Sequence, residues 1–386
     1  MFARRTEWNL APNRFSAALE QAKKSGRKLL DLSASNPTDV GLTYDEAAIL
    51  KALSHPAALH YEPDPRGLLS ARSAVANYYA DHGAEVSPRH IILTTSTSEA
   101  YSFLFRLLCD PVDEVLTASP SYPLFELLAG IQDVAVSSYS LFYDHGWHID
   151  LHALEAAITP RTRAILVVHP NNPTGSLVSE AERLALLKLC SARGIALIAD
   201  EVFLDFMQPG VSAETFCRDQ NLALTFTLSG ISKVAALPQM KLAWLVASGP
   251  IQLRDDALSR LELIADTYLS VNTPIQLALS ELLRQGSGLR AQLQKRVNQN
   301  LAELDRQLSV QQASQRLQLQ AGWYAILRVP AIQSDEELAI QMLHKHGVVV
   351  HPGHFYDFPA PGYLVVSLIT PAAIFQKGIA LLLESL

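Results

Sequence analysis

Lys233 lies one short turn after an apolar run, LALTFTL at 222–228, and a second apolar run begins at Leu242. A lysine held between two buried strands must reach solvent or be used. Its amine forms imines with aldehydes, and burial lowers its pKa toward the reactive neutral form. Three other stretches could serve the same chemistry. HPNNPTG (169–175) follows AILVV, ADEVF (199–203) follows IALI, and TTSTSEA (94–100) leads into a helical pattern. Asp200 would offer a carboxylate to a protonated ring nitrogen. Asn172 precedes Pro173-Thr174-Gly175, a turn that holds its amide in one orientation. Ser96, Thr97 and Ser98 open a helix, where free N–H groups and hydroxyls suit a phosphate. Each residue also has an ordinary reading: a solvated loop lysine, a turn aspartate, a turn asparagine, an N-cap.

The elements that must position them alternate. Strand-like runs fall at 91–95, 114–119, 134–139, 164–168, 195–200, 222–228 and 242–248, with helical patterns between several of them, clearest at 98–109, 122–130 and 179–193. Short apolar strands alternating with helices predict an α/β fold: a seven-stranded, mostly parallel sheet with helices on both faces. Ligands on such sheets sit at the strand ends, so the four loops are expected to meet at one edge. From 251 the rhythm changes to long helices, with breaks expected near Asn272-Thr273-Pro274 and at Gly286, and then to a smaller α+β unit. The expected division is a large domain over 44–281 and a small domain made of 1–43 and 282–386.

The 386 residues are 49% apolar and 18% charged, as in a compact soluble protein. Net charge is −7, from 31 basic and 38 acidic residues, which argues against a nucleic-acid partner. No apolar stretch is long enough to span a membrane, and the first residues lack the apolar core of a signal peptide. Cys109, Cys190 and Cys217 are odd in number and widely spaced, which suggests a reducing, cytoplasmic setting with neither a disulfide frame nor a metal site.

Taken in order, YEPDPRGLLSAR, TTSTSEA, ASPSYPLFE, HPNNPTG, ADEVF, SGISK and HPGHFYDF resemble the class I/II aminotransferases of the fold-type I pyridoxal-phosphate enzymes, from about residue 29 to the C-terminus. The resemblance implies pyridoxal 5′-phosphate as cofactor and an amino donor and a 2-oxo acid as substrates. Lys233 would be the Schiff-base lysine and proton shuttle, and Asp200 would pair with the ring nitrogen. Tyr122 would stack on the ring and Asn172 would donate to its O3′. Thr97, Ser98 and Ser229 would hold the phosphate. Tyr61 would reach the phosphate of a neighbouring subunit, so the implied assembly is a homodimer with shared sites.

Three positions depart from the family pattern. Phe203 stands where a tyrosine usually contacts O3′, Lys241 where an arginine usually grips the phosphate, and Val365, in GYLVVSL, where an arginine usually binds the substrate carboxylate. Arg66, His354 and, in the SASNPT turn, Ser35 are the candidate substrate residues that remain. The same scaffold supports lyases and decarboxylases, and a PLP-sensing regulator is a third reading. Such a regulator would need a DNA-binding domain ahead of residue 29, and the acidic balance argues against it.

Overall fold

The computed structural model describes residues 1–218, 222–269 and 271–386. Its main sheet follows from continuous apolar runs. Ala164 to Val168 and Ala196 to Ala199 are buried at every position, as a strand covered on both faces must be. The strand order is Ile91–Thr94, Ala243–Ser248, Thr225–Gly230, Ala196–Asp200, Thr162–Val168, Glu114–Ser119, Ala135–Tyr143 and Trp147–Ile149. The seven expected strands are all there. The eighth is a three-residue hairpin partner of 141–143, too short to show an alternation. The five strands from Thr225–Gly230 to Ala135–Tyr143 are parallel, and Ala243–Ser248 runs antiparallel to both its neighbours.

Register then decides which loops meet. Val168 pairs with Asp200 and Asp200 with Leu228, while Thr94 and Gly230 both pair with Ala243. The loops leaving Thr94, Val168, Asp200 and Gly230, and the loop entering Ala243, therefore share one edge.

A second sheet of four antiparallel strands is ordered Gln315–Arg316, Tyr324–Arg328, Tyr363–Ser367, His351–Pro352. Leu30–Asp31 pairs in parallel with Val348–Val349. Phe15, Leu30, Leu32 and Val40 share one core with Leu343, Val348 and Phe375.

The break expected at Gly286 is absent. One helix, Thr273–Leu308, runs 36 residues through it. The expected boundary between 281 and 282 falls inside this helix, whose Leu282 packs with the large sheet's core and whose Leu289 packs with the small sheet's. Glycine at 286 serves packing, not termination. A Cβ there would lie 2.8 Å from Ala235 Cα and 3.2 Å from the Val234 carbonyl oxygen, on the turn that carries Lys233. One turn on, Arg290 Nη1 donates to that same carbonyl at 2.6 Å. Gly286→Ala gains helix propensity of ~1 kcal/mol but forces backbone apart, at a typical ~1–3 kcal/mol. The expected net result is a lower thermal midpoint and a displaced Lys233 turn; a variant that melts higher than the parent would show that the helix yields freely.

Candidate active site

The loops at that edge surround a cavity of about 500 Å³, closed on its far side by the small sheet. Lys233 sits in the four-residue helix Ile231–Val234, started by Gly230 and held from behind by Gly286 and Arg290. Its Nζ lies 4.7 Å from the Trp323 ring centre, 5.8 Å from that of Phe203, and 3.5 Å from the Ser35 carbonyl oxygen. Burial pushes its pKa down to about 8, against the opposing pull of Asp200. That shift moves the amine from almost fully protonated near neutral pH toward its neutral, nucleophilic form.

Asp200 ends its strand fully inside the fold. Its Oδ2 accepts from the Tyr101 hydroxyl at 2.7 Å and its Oδ1 from the Val202 N–H at 3.1 Å. Burial raises its pKa, and these two donors and Lys233 pull it back down. Asn172 lines the cavity with its buried Oδ1 unpartnered among the described residues. Its turn is fixed by Gly175, whose φ is +64° and whose Cβ would fall 2.2 Å from the Ala321 carbonyl oxygen.

The helix Thr97–Leu108 starts at the cavity. Ser96 caps it by accepting from Glu99 N–H, so the Thr97 and Ser98 N–H groups have no acceptor within the helix. Lys241 lies two residues before Ala243, the register partner of Thr94, which brings its ammonium to the same end. Helix N-terminus, hydroxyls and one cation form an anion site. The residues present therefore fit pyridoxal phosphate: an anion site at one end, a carboxylate for a ring nitrogen, an amide with an unpartnered oxygen and a lysine whose pKa is lowered by burial. Lys241→Ala should weaken pyridoxal-phosphate binding about tenfold or more, measured as a dissociation constant by dialysis, and Lys241→Arg should tighten it. Unchanged affinity in the alanine variant would mean that the helix end suffices.

Of the expected residues, Ser35, Thr97, Ser98, Tyr122, Asn172, Asp200, Phe203, Lys233 and Lys241 all line this cavity. Four do not. Ser229 is fully buried, its Oγ unpartnered among the described residues, and it does not line the cavity; the next residue, Gly230, and Ser232 do. Arg66 is taken up by Glu262, at 2.8 Å from Nε, and by the Arg89 carbonyl oxygen. His354 is exposed, edge-on to Phe355. Tyr61 is 78% exposed on the surface, away from its own chain's cavity. Val365 is buried within the small sheet. Tyr101, Tyr324, His351 and Tyr356 also line the cavity and were not anticipated. Tyr101 was legible, being one helical turn after Thr97 and so on its face.

The sequence profile of the aminotransferase class I and II family matches residues 27–375, and the chain belongs to that family. The chain is 28% identical to the glutamate-pyruvate aminotransferase AlaA of Escherichia coli (strain K12) over 270 residues, 69% of this chain and 66% of AlaA. It therefore spans slightly under two thirds of that relative's length. It is 28% identical to the alanine aminotransferase of Mycobacterium tuberculosis (strain ATCC 25618 / H37Rv) over 363 residues, 88% of this chain and 81% of that one. The fold superposes on the alanine aminotransferase from Pyrococcus furiosus with a TM-score of 0.90 at 21% identity, covering 100% of this chain and 99% of that one.

Proposed function

We propose that the protein is a pyridoxal-phosphate-dependent aminotransferase that moves an amino group from an amino acid to a 2-oxo acid. The observation that carries this is the convergence of Lys233, Asp200, Asn172 and the Thr97–Lys241 anion site on one cavity. When bound, pyridoxal phosphate supplies an aldehyde for imine chemistry and a ring that stabilises negative charge on a carbon losing its proton. Asp200 would accept a hydrogen bond from the ring nitrogen and favour its protonated form. The Asn172 amide would orient the ring through O3′, and Tyr122 would stack on it. Lys233 Nζ would hold the cofactor covalently and would be the group that moves a proton at the substrate carbon. The rings of Trp323 and Phe203, 4.7 and 5.8 Å from Nζ, limit water around it.

The test mixes purified protein with single amino acids and follows visible absorbance. Conversion to a pyridoxamine-type spectrum that a 2-oxo acid reverses is the expected result. A 2-oxo acid released without any acceptor would mean lyase chemistry instead. The same reading includes a cytoplasmic homodimer in which the exposed Tyr61 reaches the partner's phosphate. The three free cysteines support the compartment. A monomeric mass in sedimentation would remove the shared site. The domain division at 44–281 belongs to this reading, with the helix Thr273–Leu308 joining the two parts. No helix among the described residues is long and apolar enough to cross a membrane, and none of their His, Cys, Asp and Glu residues cluster as metal ligands.

A further inference from the structure

Amino acids and 2-oxo acids both bring a carboxylate into the cavity, besides the cofactor's phosphate. An anion removed from water needs a charge-assisted partner, and leaving it unpaired costs several kcal/mol. Among the described lining residues, only Lys233, Lys241 and His351 can carry a positive charge. Lys241 is placed with the helix N-terminus at the phosphate end, and Lys233 is the nucleophile. The small-sheet wall offers Ser35, Tyr324, Phe355 and Tyr356, all neutral, and His351. His351 is the direct register partner of Val365 across the antiparallel pair His351–Pro352 and Tyr363–Ser367. It stands one strand over from a position that has no charge to give.

We propose that His351, supported by Tyr356, is the residue that binds the substrate carboxylate, and that it does so as an imidazolium. This rests on the aminotransferase reading. The ring Nδ1 lies 3.0 Å from the Tyr356 hydroxyl. In the neutral ring one nitrogen donates and the other accepts; in the imidazolium both donate. Protonated His351 then gives its Nδ1–H to the Tyr356 oxygen, which frees the Tyr356 O–H to donate in its turn. The pair thereby becomes a two-donor anchor.

The charges around the ring fix the pH dependence. Asp31, on the strand paired with Val348–Val349, favours the protonated ring. Tyr356 on its own turn, Tyr324 on the small sheet and Tyr122 across the cavity are neutral, their pKa values raised by burial. Lys233 across the cavity opposes a second cation. Burial holds His351 below its ordinary pKa, with Asp31 opposing. The free protein therefore keeps the ring neutral near pH 7.5, and a bound carboxylate draws a proton onto it. Carboxylate binding must weaken as pH rises.

The experiment measures half-reactions of the holoenzyme with the fastest of the twenty protein amino acids and with its decarboxylated amine, from roughly pH 6.5 to 8.5. In the wild type the amino acid wins, and its advantage declines with pH. His351→Gln should cut that advantage at least about tenfold, mostly through the half-saturating concentration, with the cofactor absorbance retained. His351→Arg should restore the advantage and remove its pH dependence, and Tyr356→Phe should weaken it less than His351→Gln does. A wild type that accepts the amine as readily as the amino acid overturns the proposal. So does a His351→Gln variant that keeps both the preference and its pH profile. If no amino acid converts the chromophore at all, the aminotransferase reading falls first and takes this one with it.

Discussion

Lys233→Ala should give a folded protein that binds pyridoxal phosphate without covalent attachment and turns over at least about a thousandfold more slowly, because in the proposed mechanism one side chain supplies both nucleophile and proton carrier. Borohydride reduction followed by mass spectrometry checks the first part: the wild type retains the cofactor mass on residue 233, and the variant retains none. Full turnover in the variant, or cofactor mass on another lysine, would remove Lys233 from its role. Stability separates chemistry from folding. The lysine's pKa in the fold, about 8, lies below its free value, so the unfolded chain binds the proton more tightly. The penalty is therefore fully present below pH 8 and is relieved as pH rises toward about 10.5. Lys233→Ala lacks that group. In apoprotein melts, the wild type should gain on the variant as pH climbs through this window, and an identical pH trend in both would mean that the ammonium is well solvated.

The parts of this site that could be read beforehand are those whose neighbours are close in sequence. Lys233, Asp200, Asn172 and Thr97 each follow a buried strand, and strand ends on a parallel sheet gather at one edge whatever the detailed packing. Side-chain direction was harder to read. Ser229 and Gly230 are adjacent, and only the folded structure tells which of them lines the cavity. Arg66 was a reasonable cation until Glu262, almost two hundred residues later, took its guanidinium. His354 and His351 stand in one short motif. Which of them enters the cavity depends on a two-residue strand, His351–Pro352, that no periodicity could announce. At Gly286 the residue type suggested a helix end, whereas the contact that explains it, Ala235, is brought there by tertiary structure alone. Tyr324 reaches the cavity in the same way, on a strand of the small sheet far from the loops it faces.

Asp200→Ala should cost about a thousandfold or more in kcat. In the proposed role a buried carboxylate is useful only as an anion, and named groups favour that form here. Burial alone drives Asp200 toward its neutral form. The Tyr101 hydroxyl at 2.7 Å, the Val202 N–H at 3.1 Å and the Lys233 charge oppose that drift. Hydrogen bonds to a charged group are worth about 1.5–3 kcal/mol each, so losing one moves the carboxyl further toward its neutral form. Tyr101→Phe should therefore lower kcat by about tenfold. Its ring packing against Phe105 and Phe125 stays, so folding is preserved. Asp200→Asn keeps the shape and can still accept from Tyr101, but it cannot be an anion, and it should be nearly as slow as the alanine variant. The two positions act through one carboxylate, so their effects should not add. Asp200→Asn combined with Tyr101→Phe is expected to match Asp200→Asn alone in kcat. A further tenfold loss in the double variant would mean that Tyr101 acts on the reaction directly, and a fully active Asp200→Asn would reduce Asp200 to a strand-end cap.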